Sequence, residues 1–98
     1  MPKILIYKYL TFFFYAGVLG EAGHVHVVNN KLFLAAAKIW FDKDTLEGGI
    51  GVFEEGNLSK SELKTALRVV ALNKQYLKTQ WSKFQNGERT SIKTLKKI

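Results

Sequence analysis

No cysteine occurs anywhere in the 98 residues. Disulfide staples, thiolate nucleophiles and cysteine-based zinc sites are therefore excluded, and a reducing cytoplasm is the expected home. Long apolar runs are missing too. The longest, Phe12 to Leu19, is far too short to span a bilayer, and the N-terminus lacks the apolar core and small-residue cleavage site of a signal peptide. A soluble protein with no membrane partner is expected. GxxxxGK[ST], GxGxxG, HExxH and EF-hand patterns are all absent, so no cofactor is called for by those routes. Acids are scarce in the second half. Beyond Ser59, Glu62 and Glu88 alone stand against ten lysines and arginines, a net of +8, whereas residues 1–59 hold five lysines against six acids, a net of −1. This asymmetry points to an anionic partner, either RNA or a small acidic protein, with a solvated helix face as the plainer alternative.

What is present centres on Gly23-His24-Val25-His26-Val27, which holds both histidines of the chain. In a strand, residues two apart share a face. His24 and His26 then present two imidazoles side by side, with Val25 and Val27 opposite. Imidazole titrates nearest neutrality and is a common metal ligand, so any chemistry is sought here first.

The remaining pattern reads as α+β in one domain over residues 1–87, followed by a basic tail over 88–98. The aromatic run suits a pleated surface and divides into strands at Ile4–Tyr7 and Leu10–Tyr15, with a loop over Ala16–Gly23. His24–Val28 forms a strand, Asn29-Asn30 a tight turn, and Lys31–Phe41 the returning strand. A short extended piece is expected at Ile50–Phe53. Ser59-Lys60-Ser61-Glu62 matches a capping box. The helix behind it carries an apolar stripe through Leu63, Ala66, Leu67, Val70, Leu77, Trp81 and Phe84. Lys74 interrupts that stripe, so one helix bends at Asn73 or two helices meet there. Gly87 suits a C-terminal stop. Ile92, Leu95 and Ile98, three apart, suggest a further helical turn in the tail. The expected architecture is an antiparallel sheet of three to four strands packed by one long or two short C-terminal helices, with enough exposed apolar surface left for a homo-oligomer or another partner to cover.

Three readings of the histidines stay open. A metal site needs a third ligand, for which Glu21, Asp42 and Asp44 are the carboxylates at hand. A metal-free nuclease would use one imidazole as base and the other as acid on a ribose 2′-hydroxyl. Lys38, with Lys31 and Arg68, would then steady the phosphate. The third reading makes both rings structural, bonded to backbone or stacked on Trp40 or Tyr15, and on the chemistry alone it leads. Phe12 to Tyr15 could stack bases on an open sheet, but core packing is favoured. The cations Lys60, Lys64, Arg68, Lys74, Lys78 and Lys83 are the candidate anion-binding set of the helical region.

Phe12-Phe13-Phe14-Tyr15, the loop with Glu21, the His24-x-His26 pair, Ala37-Lys38-Ile39-Trp40 and a Ser59–Phe84 helical region with Asn73 and Trp81 together resemble the bacterial domain of unknown function 4160 family, over about residues 3–86. Members typically carry prolines before the His-x-His, where this chain has Ala22-Gly23. The resemblance implies a gene neighbour of another small domain family, as in a toxin–antitoxin pair. It implies that the His-x-His protein is the toxin-like half; the leading expectation for this chain is that such a component acts on RNA or translation and is held by an acidic cognate partner. The alternative is a non-enzymatic binding module, antitoxin-like or nucleic-acid-binding, with structural histidines. Whether the chain is an enzyme stays open.

Overall fold

The structure, a computed structural model, describes residues 2–15, 21–30 and 36–97. The aromatic run divides where its composition suggests. Strands β1 (Lys3–Tyr7) and β2 (Leu10–Phe13) form an antiparallel hairpin with Lys8 in the left-handed region of the turn, at φ 54°. β3 (Gly23–Asn29) pairs antiparallel with β2 on one side and with β4 (Ala37–Asp42) on the other. β5 (Gly51–Glu54) follows a short 3-10 turn and lies antiparallel on β4. Two helices come next, α1 (Lys60–Leu72) and α2 (Lys74–Gln85). The chain then returns as β6 (Lys93–Leu95), parallel to β1. The proposed strand onset at Lys31 and most of the Ala16–Gly23 loop lie outside the described residues.

The expected sheet of three to four antiparallel strands is overturned. The sheet has six strands in the order β5-β4-β3-β2-β1-β6 and is mixed, because β1 and β6 are parallel. Two causes account for the difference. The extended piece near Ile50–Phe53 is a full member of the sheet, bonded to β4. The segment with helix-like spacing after Gly87 is instead tied into the sheet by side chains of α2. Tyr76 Oη lies 2.9 Å from the Ile4 carbonyl and 3.0 Å from that of Ser91. The buried Gln80 accepts from the Ser91 amide at 2.8 Å, and Lys93 Nζ donates to Asn73 Oδ1 at 2.9 Å. A three-residue strand is too short to carry a legible alternation.

The helix signals hold. Ser59 Oγ accepts from the Glu62 amide at 3.1 Å while Glu62 Oε1 accepts from the Ser59 amide at 2.9 Å, completing the capping box. Glu62 also accepts from Asn29 Nδ2 at the end of β3. At Asn73 two helices meet. Its side chain turns back to donate to the Val69 carbonyl of α1 rather than capping α2. Gly87, at φ 72°, ends α2. The Gly87 amide donates to Phe84 and that of Glu88 to Lys83, a Schellman arrangement. One face of the sheet, with Phe12, Val25, Val27, Ile39 and Phe41, packs against Leu63, Ala66, Val69, Val70 and Leu77 of the helices, all of them buried. Burying each large apolar side chain contributes roughly 1.5–3 kcal/mol.

Candidate functional site

The pleat of β3 separates its residues as the alternation requires. Val25 and Val27 are fully buried toward the helices, and the histidines take the opposite side. Register then decides their neighbours: Phe13 stands beside His26, His26 beside Lys38, and His24 beside Trp40. The rings make a continuous row across four segments of chain. Centroids are 4.9 Å apart for Tyr15–His26, 5.4 Å for His26–His24, and 5.2 Å for both His24–Trp40 and Trp40–Phe53. Phe13 stacks on His26 at 5.5 Å. Lys38 Nζ sits 4.7 Å over the Phe53 ring, and Lys43 Nζ 4.7 Å over Trp40, both within cation–π range. The two ends of the row are open, with Tyr15 46% and Phe53 53% exposed.

The middle of the row is closed. His24 is 1% exposed. Besides Trp40 it meets Trp81 of α2 at 5.3 Å. Trp81 itself packs with Phe14, Phe41 and Phe84. His24 therefore joins the helix-side aromatic cluster to the row on the other face. It reaches that position beside a register shift between Gly23 and His24. Gly23 makes room there: a Cβ on it would lie 2.6 Å from Phe41 Cε1. His24 Nδ1 lies 3.0 Å from the Ala22 carbonyl oxygen, which accepts its hydrogen, and Glu21 Oε2 is 3.6 Å from the same nitrogen. His24 Nε2 and His26 Nε2 are both buried without a hydrogen-bond partner.

His26 is half-buried. Its burial, then the neighbouring His24 and Lys38, lower its pKa from 6.5 to about 4 against an opposing pull from Glu21. The ring is neutral at pH 7, so it offers a lone pair and no positive charge. Among the described residues no group of three or more His, Asp or Glu is placed to hold a metal ion. Glu21 meets His24 only at Nδ1, and Asp42 pairs with Lys78 at 3.9 Å.

Of the residues singled out for chemistry, His24, His26 and Lys38 are brought onto one face, whereas Lys31 lies outside the described residues. Arg68 does not join them. It lines a hollow with Tyr7, Lys64 and Thr65 on the helix side. The cations of the helical region form no single patch. Lys60, Lys64 and Arg68 follow one stripe of α1, Lys74 donates to the Gly48 carbonyl, and Lys78 and Lys83 line a second hollow with Glu88. Sequence reasoning missed Lys43 and Phe53 as neighbours of the histidine row. The available signal was position: Lys43 directly follows β4, and Phe53 lies within β5, the strand paired with it.

A family model for the domain of unknown function (DUF4160) matches residues 10–82, well over half of the chain, and the protein belongs to that family. Comparison with curated proteins and with solved structures gives no match.

Proposed function

We propose that this protein is the toxin-like, RNA-contacting component of a bacterial two-protein module, and that it binds single-stranded RNA across the aromatic row. The observation that carries this reading is the row itself: Tyr15, His26, His24, Trp40 and Phe53 in contact, open at both ends, with Lys38 over Phe53 and Lys43 over Trp40. Unpaired bases stack on exposed aromatic rings of a sheet while cations take the phosphates. The net charge of +7 supports an anionic target. In this reading His24, buried and bonded to Ala22, holds the row in shape and does not shuttle protons to a ribose. The cognate partner would be a small acidic protein.

Fluorescence anisotropy with a labelled single-stranded RNA tests the binding. Phe53→Ala and Tyr15→Ala should each weaken it by the value of about one stacked base, roughly 1–3 kcal/mol. Their melting temperatures should stay near that of the unaltered protein, since both rings are half in solvent. Expressed alone, the protein should slow bacterial growth, and the double variant should relieve the effect. Binding that ignores both rings removes the row from function, and unimpeded growth removes the toxin-like role.

A further inference from the structure

The two terminal strands of the sheet are complementary in direction, charge and apolar pattern. β1 through β5 alternate antiparallel, so β5 runs the same way as β1. β6 is parallel to β1, and hence β5 and β6 run in the same direction at opposite edges. β5 exposes Val52 at 39% and Phe53 at 53%, followed by the exposed Glu54 and Glu55. β6 carries Leu95 at its end, followed by the exposed Lys96 and Lys97. Among the described residues none of these four charges is spent in an ion pair.

We propose that copies of this chain associate head-to-tail, β6 of one copy adding to β5 of the next and continuing the sheet in parallel. One register satisfies both faces. Val52 shares the side of Ile39, and Leu95 shares the side of Tyr7, so placing Val52 beside Leu95 joins apolar to apolar on the helix side. That register puts Lys96 beside the exposed Phe53 ring and Lys97 beside Glu54. Like edges have no such match: β5 on β5 supplies no cation for Glu54 and Glu55, and β6 on β6 supplies no carboxylate for Lys96 and Lys97. Pairing of like charges across strands is unfavourable and pairing of unlike charges favourable, and the same charges guard each edge against its own kind. Because the two surfaces differ, the contact is heterologous and adds copies in a ring or a chain.

Sedimentation velocity on the whole protein at low and high salt tests this. The unaltered chain should associate beyond the monomer at low salt and lose that association in high salt, where exposed charges are screened. Glu54→Lys with Glu55→Lys, and separately Lys96→Glu with Lys97→Glu, should each give monomers with unchanged circular dichroism. Mixing the two variants should restore association, because each then offers an edge complementary to one on the other. An unaltered protein that stays monomeric at low salt overturns the proposal. So does association that survives the lysine reversals, which would indicate contact between two β5 edges, and so does a mixture that stays monomeric.

Discussion

His24 shows how burial changes the meaning of a residue type. Its ring is packed by Trp40, Trp81 and His26 and bonded to a backbone carbonyl. His24→Ala should therefore destabilise by about 2–4 kcal/mol through the cavity and the lost hydrogen bond, lowering the melting temperature by roughly 10–20 °C. A melt that does not move would leave His24 without a structural role. His26 predicts a pH dependence instead. Its folded pKa, about 4, lies below the unfolded value near 6.5, so the unfolded chain binds the proton more readily. The stability held above pH 6.5 should fall as pH drops through that window, by about 1–2 kcal/mol given the ring's partial contact with solvent. His26→Phe should flatten the decline in urea titrations taken across pH 4 to 7. The spacing of two made the shared face of these histidines legible. Their unequal burial was not, because Trp81 is distant in sequence and nothing local announces that its ring closes on His24.

Elements differed in legibility according to how local their causes are. The capping box is complete within Ser59–Glu62, and the structure contains it as written. Glu62 is held below its usual carboxylate range, chiefly by the Ser59 backbone hydrogen bond. Ser59→Ala should cost about 1 kcal/mol in chemical denaturation. At Asn73 the interruption was visible, but the side chain's partners were not. They are Val69 one turn back and Lys93, twenty positions ahead. β6 is the extreme case, a strand created by its anchors. Tyr76→Phe removes the hydroxyl that reaches Ile4 and Ser91. It should cost about 1–2 kcal/mol, with faster amide hydrogen exchange concentrated in Lys93–Leu95. Uniform acceleration over the whole sheet would argue against a local clasp.

At the scale of the molecule, the α+β class followed from pattern, whereas strand count did not, since both extra strands depend on contacts that bring distant segments together. The helical cations are scattered, and the two that meet the aromatic row, Lys38 and Lys43, come from the nearly neutral half. If RNA lies along that row, replacing both with Ala should reduce the slope of log affinity against log salt by about 1.4, near 0.7 for each lost phosphate contact. Replacing Lys60 and Lys64 should leave the slope unaltered. The pairing of Leu5 with Lys93 joins positions almost at opposite ends of the numbering, and such a contact forms only after the largest loop in the chain has closed. β6 should accordingly dock after the rate-limiting barrier. Weakening its clasp would hasten unfolding and leave the folding rate nearly constant, so the persistence of the native state rests on one short strand at the sheet's margin.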